Sequence, residues 1–182
     1  MFRYSDKNGR NFQIYPTGPC YALTDFPSGH VKVYQPGKTI GKWVSNCTVD
    51  DIGFYNRLPK NGDTLFICKS YKDARINLNL GFNATIWTQG EHFPIREKVI
   101  RELAQRFKRI YVYYDNDKAG ITAALHLCQV ANGILGDTVF IPLWLPEALL
   151  SNEGIKDSAD YLPIHGSYEL GQLLQNTTNG TT

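Results

Sequence analysis

The sequence predicts an α/β protein: a parallel sheet flanked by helices over residues 61–165, preceded by a small β-rich lobe over residues 1–60. Two observations carry this. From residue 63 onward, short apolar runs alternate with segments of helical period, the pattern of β-α units joined by crossover helices. Before that point the chain holds only short β-type runs such as "NFQIYP", "HVKVYQP" and "GKWVSN", separated by turn signals such as "PSG" and "QPGK". With 182 residues, 42% of them hydrophobic, the chain is long and apolar enough to bury a core.

Each element of the larger unit has its own signal. "DTLFIC" (63–68) reads as a buried strand, and "SYKDARINLNLG" (70–81) as a helix that stops at Gly81. "ATIWT" (84–88) is the second strand. "PIREKVIRELAQRF" (94–107) is an amphipathic helix with Ile95, Val99, Leu103 and Phe107 on one stripe and Pro94 near its start. "RIYVYY" (109–114) is the third strand, "KAGITAALHLCQVAN" (118–132) the third helix and "DTVFIPL" (137–143) the fourth strand. Residues 166–182, ending "QNTTNGTT", read as a polar, partly disordered tail.

Composition excludes some classes. Formal net charge is +2, so affinity for nucleic acid has to come from local clusters. No apolar run reaches the roughly 18 residues a membrane helix requires, and the polar start "MFRYSDKNGR" lacks a signal-peptide core. The expectation is a cytoplasmic protein without membrane contact. The four cysteines, Cys20, Cys47, Cys68 and Cys128, show no C-x-x-C or zinc spacing, which predicts reduced, packed thiols.

The candidate chemistry begins at "YVYYDNDKAG" (111–120). Functional groups of parallel sheets gather at the carboxyl ends of the strands, and this run delivers Asp115 and Asp117 to that edge. Residues two apart in extended chain point the same way, so both carboxylates are expected to converge on a cation, with Mg²⁺ the usual partner of such oxygens. The competing reading is that Asp115 merely caps the next helix. Gly120 is expected to permit a close backbone approach. After the fourth strand, "KDSADYL" (156–162) offers Lys156, Asp157 and Asp160, either as a second acidic element or as an ordinary helix start.

Together these elements resemble the toprim domain of bacterial-type DNA primases, topoisomerases and several nucleases. "YYDNDKAG" is similar to the family's D-x-D motif, and "KDSADYL" to the primase K-D-x-x-D element. "LFICKSYKDA" (65–74) resembles the first motif, I-x-E-G-x-x-D-A, and "TIWTQGE" (85–91) resembles the strand and turn between motifs. The resemblance covers residues 60–165. The stretch "GKWVSNCTVDDIGFYNRLPKNGDTLFIC" looks like a divergent form of the segment that ends the β subdomain of primases and leads into the first toprim strand, and "VKVYQP" resembles that subdomain's template- or nucleotide-facing β segment. One departure stands out: the family's glutamate is replaced by Lys69. An ammonium neither coordinates Mg²⁺ nor acts as a base at its ordinary pKa, though it can grip a phosphate or neutralise carboxylates.

The resemblance implies a primase-like catalytic core, making short RNA primers by metal-assisted nucleotidyl transfer in phage-type DNA replication. Its catalytic residues would be Lys69, Asp115 and Asp117, with Asp115, Asp117 and Asp157 holding Mg²⁺ or Mn²⁺. Contacts to nucleotide or nucleic acid would fall to Lys32, Lys38, Lys42, Lys72, Asp73, Lys118, Lys156 and Asp160. Tyr34 and Trp43 lie close to the first lysines in sequence, and basic residues interleaved with rings suit single strands. The implied partners are a single-stranded DNA template and NTPs, with a replicative helicase or a separate zinc-binding domain. Two other readings stay open: a toprim nuclease or topoisomerase relative, and a non-catalytic scaffold in which Lys69 has replaced the metal.

Overall fold

The computed structural model of the chain describes residues 2–5, 10–15 and 17–179. Its first part is all antiparallel. Strands β1 (Phe2–Ser5) and β2 (Asn11–Ile14) pair as a hairpin, and β3 (Tyr21–Leu23), β4 (Lys32–Tyr34) and β5 (Trp43–Ser45) form a three-stranded sheet in that order. Strands β1 and β3, four and three residues long, are not among the runs that the sequence marks. The lobe joins the rest of the molecule through residues 51–54, where Gly53 bridges Trp87. A Cβ on Gly53 would lie 1.8 Å from the Trp87 indole nitrogen, so only glycine fits that crossing.

The second part follows the predicted alternation. Strands β6 (Gly62–Cys68), β7 (Thr85–Trp87), β8 (Phe107–Tyr113) and β9 (Phe140–Leu143) form a parallel sheet in the order β7-β6-β8-β9. Helices α1 (Tyr71–Asn79), α2 (Glu97–Arg106) and α3 (Lys118–Leu135) are the crossovers, followed by α4 (Glu147–Glu153) and α5 (Ser158–Asn179). Strand alternation sorts the core into two layers. Leu65, Ile67, Ile110 and Val112 face α2 and α3, packing on Ile100, Leu103, Ala124 and Ala131. Phe66, Cys68, Tyr111 and Tyr113 face α1 and α5, packing on Ala74, Leu170 and Leu174. A sheet buried on both faces requires continuous apolar strands, which is why "LFIC" and "IYVYY" lack polar alternation.

The structure departs from the sequence expectation in three places. Helix α2 begins at Glu97 rather than Pro94 and passes directly into β8, Phe107 serving as its cap with extended backbone. The short helix α4 has no counterpart among the elements the sequence predicts. The expected tail from residue 166 is instead helical to Asn179. Its helix breaks at Gly166 (φ 85°) and then buries Leu170 and Leu174 against the second face of the sheet. Without it Phe66 and Tyr111 would face water; the Tyr111 hydroxyl also donates to the Thr178 carbonyl at 2.9 Å. Residues 180–182 lie outside the described residues. No helix among the described residues is long and apolar enough to cross a membrane.

Candidate functional site

Three buried carboxylates meet at the carboxyl edge of the parallel sheet. Asp73, Asp115 and Asp157 each present an oxygen within 4.8 Å of the others, and none is more than 8% exposed. Each comes from a different element. Asp73 lies in the first turn of α1, where Ser70 caps the helix: its hydroxyl donates to the Asp73 carboxylate and accepts from the Asp73 N–H. Asp115 lies two residues beyond β8. Asp157 precedes α5 and accepts from the Asp160 N–H at 2.7 Å. Asp157 is thus a helix cap and a member of the group at once, and the dipoles of α1 and α5 both favour negative charge there.

Gly120 fixes Asp115. A Cβ at Gly120 would lie 2.2 Å from the Asp115 carbonyl oxygen, so α3 can approach the strand end only with glycine at this position. The expected close approach is therefore made to the backbone that carries the carboxylate.

Asp117 is not brought into the group. The chain leaves extended geometry after β8 and bends at Asn116 and Asp117, with the Asn116 N–H donating to the Lys156 carbonyl at 2.7 Å. The expected two-residue alternation therefore fails, and Asp117 Oδ1 accepts from the Gly120 N–H at 2.9 Å as the cap of α3. Asp73, expected among the nucleotide contacts, stands inside the acidic group instead.

The group is unfinished as a hydrogen-bonding network. Asp73 Oδ1 and Asp115 Oδ1 are buried without a partner, a costly state for carboxylate oxygens. Burial and the neighbouring Asp157 push the Asp73 carboxyl up to about 6. Burial also raises Asp115, against the pull of Lys69. Three clustered carboxylates, two of them with an unpartnered oxygen, fit a small divalent cation, Mg²⁺ or Mn²⁺.

Lysines surround the carboxylates. Lys69 follows β6 directly; its ammonium bonds Asp115 Oδ2 and lies 3.0 Å from Glu91 Oε1. Burial works against its charge, but the bonds to Asp115 and Glu91 outweigh it and hold Lys69 above its ordinary pKa. Lys72 lies 3.8 Å from Asp157 and Lys156 3.9 Å from Asp115. Lys118 opens α3 on the exposed surface. Asp160 accepts from the Lys156 N–H at 3.3 Å and so organises the turn rather than joining the group. Glu91 is not among the site residues expected from the sequence. It lies just past β7, and the convergence of all four strand ends on one edge was the signal that could have found it.

The lobe carries a second feature. Tyr21, Tyr34 and Trp43 are direct cross-strand neighbours and stack in a row, at 6.3 and 4.2 Å between ring centres. Tyr21 and Trp43 are 55% and 50% exposed. Lys42 lies over Tyr34 at 5.7 Å and Lys32 over Trp43 at 4.9 Å, both within cation–π range. Lys32 is drawn inward, donating to the Gln89 carbonyl at 2.7 Å, so it ties the lobe to the turn after β7. Lys38 closes the β4–β5 turn through its N–H to the Gln35 carbonyl.

Residues 64–142 match the family model described as Toprim domain, whereas no curated protein sequence matches the chain. Solved primase structures share the fold. The DnaG primase catalytic domain bound to single-stranded DNA superposes with a TM-score of 0.65 at 16% identity, over 96% of this chain and 57% of that one. The primase fragment of the bacteriophage T7 primase-helicase gives 0.60 at 15% identity, over 85% and 62%. The Aquifex aeolicus primase, with zinc-binding and RNA polymerase domains, gives 0.68 at 16% identity, over 96% and 43%. The chain spans about 43–62% of the length of these structures. Residues 64–142 are a toprim domain, set behind an antiparallel β lobe in the fold of primase catalytic cores.

Proposed function

We infer that the chain is a primase-type nucleotidyltransferase core that copies single-stranded DNA into short RNA. The buried Asp73–Asp115–Asp157 group with its two unpartnered oxygens carries this reading; the lobe favours a primase over other toprim enzymes. Mg²⁺ or Mn²⁺ held by these carboxylates would stabilise charge at the α-phosphate under attack by a 3′-hydroxyl. Lys72 and Lys156 flank the carboxylates and would hold triphosphate oxygens as point charges. Asp117 supports the site from the α3 cap rather than as a ligand. Tyr21, Tyr34 and Trp43, with Lys42, would carry template bases by stacking. A helicase or zinc-binding partner would supply what the lobe does not. Cytoplasmic placement follows from this role in replication.

The ion pair between Lys69 and Asp115 favours a second reading, a toprim scaffold in which the lysine replaces the metal. Incubating the chain with a single-stranded template, labelled NTPs and Mn²⁺ separates the two. New oligoribonucleotides that vanish in Asp157→Asn support the primase reading. Shortened DNA would mean a nuclease, and an unchanged template without product would favour the scaffold.

A further inference from the structure

Glu91 has no counterpart among the expected site residues, yet it shares the Lys69 ammonium with Asp115. Lys69 lies between Asp115 Oδ2 and Glu91 Oε1, with its side chain 23% exposed and that of Glu91 17% exposed. Asp115 Oδ1 is the oxygen left without a partner, so a divalent cation there would share the carboxylate with this ammonium and be repelled by it. Lys156, 3.9 Å from Asp115 Oδ2, repels it further. Glu91 is the acceptor outside the carboxylate group onto which the ammonium can withdraw. Its turn is held from several sides: Thr88 Oγ1 donates to the Gly90 carbonyl at 3.0 Å, Lys32 to the Gln89 carbonyl, and Gln89 Nε2 to the Asp51 carbonyl at 2.9 Å. The lobe therefore fixes where Glu91 stands.

We propose that Lys69 and Glu91 form a displaceable cation lock, in which Lys69 neutralises Asp115 through Oδ2 in the metal-free protein and Glu91 holds the ammonium when a divalent ion enters. Glu91 is a positioning residue that acts through Lys69. The proposal rests on the reading that Asp73, Asp115 and Asp157 take a divalent cation.

Calorimetric titration of Mn²⁺ into the full chain tests this with the native protein, Glu91→Gln, Lys69→Met and the double variant. Lys69→Met is expected to tighten Mn²⁺ binding roughly tenfold, and Glu91→Gln to weaken it roughly tenfold while Lys69 is present. In the Lys69→Met background, Glu91→Gln should change the affinity by less than about twofold. Equal weakening in both backgrounds would overturn the lock while leaving the metal site standing, because Glu91 would then act on the ion directly. An unchanged affinity in Lys69→Met would also overturn it. Absence of binding in all four proteins would overturn both the lock and the metal reading. Thermal melts check folding, and Lys69→Gln, which keeps a neutral donor, replaces Lys69→Met if that variant does not fold.

Discussion

The molecule buries aspartates in both of its regions, and the two regions treat them in opposite ways. Asp51, where the lobe meets the toprim domain, is 2% exposed; Asp115 is also 2% and Asp73 3% exposed. Asp51 is fully satisfied, accepting from Ser28 Oγ, His30 Nδ1 at 2.9 Å, and the Thr48 N–H and hydroxyl at 2.5 and 3.1 Å. Burial alone would raise its pKa, but these bonds outweigh burial and hold it below the ordinary value. Asp73 and Asp115 each keep an unpartnered oxygen, and both carboxyls are raised. Burial is common to both regions. What separates a structural carboxylate from a ligand-ready one is whether the fold completes its hydrogen bonding.

The largest effect should fall on activity. Asp115→Asn is expected to lower primer synthesis by at least about 100-fold, read as oligoribonucleotide yield, without lowering the melting temperature. Full activity in this variant would break the contrast. Asp51→Ala should do the reverse in kind, costing about 3 kcal/mol of stability in denaturant titrations because several donors lose one acceptor. A loss near zero would mean the network is ornamental.

A smaller effect distinguishes the regions by sign. Asp73→Asn removes a like charge from a crowded site and should stabilise the metal-free protein at pH 7 by about 1 kcal/mol. The pH dependence follows. Asp73 has a folded pKa of about 6 against an ordinary 3.8, so its contribution is full below 3.8 and is lost as pH rises through about 6. Asp51 is depressed below 3.8, so its contribution is present above that value and is lost as pH falls through its lowered pKa. Denaturation across a pH series should therefore show Asp73→Asn flattening the fall between 3.8 and about 6, and Asp51→Asn flattening the acid limb. The smallest effect belongs to the aromatic row: Trp43→Ala should weaken binding of a single-stranded oligonucleotide by about 1 kcal/mol in fluorescence anisotropy.

Much of this was legible in the sequence because periodicity reports burial. The four parallel strands and the three crossover helices follow from apolar runs and helical spacing, and Asp115 and Asp157 were found at strand and helix ends. Helix α5 was hidden because Gly166 and the Thr-rich end dilute the signal of Leu170, Leu173 and Leu174. Asp117 stands apart from the group, at the α3 cap, because the two-residue rule holds only in straight extended chain, and a long-range bond from Asn116 to Lys156 accompanies a bend there. Glu91 was missed because a lone glutamate in a turn has no local pattern; its meaning comes from Lys69, a strand away in space and 22 positions earlier in sequence.

The central claim is that Asp73, Asp115 and Asp157, and not the neighbouring Asp117, form the cation site. Its most direct test is a Mn²⁺ titration by calorimetry of the native protein, Asp157→Asn and Asp117→Asn. Saturable binding that is lost in Asp157→Asn and retained in Asp117→Asn is the predicted result. Binding retained in Asp157→Asn and lost in Asp117→Asn would contradict it and restore Asp115 and Asp117 as the metal pair.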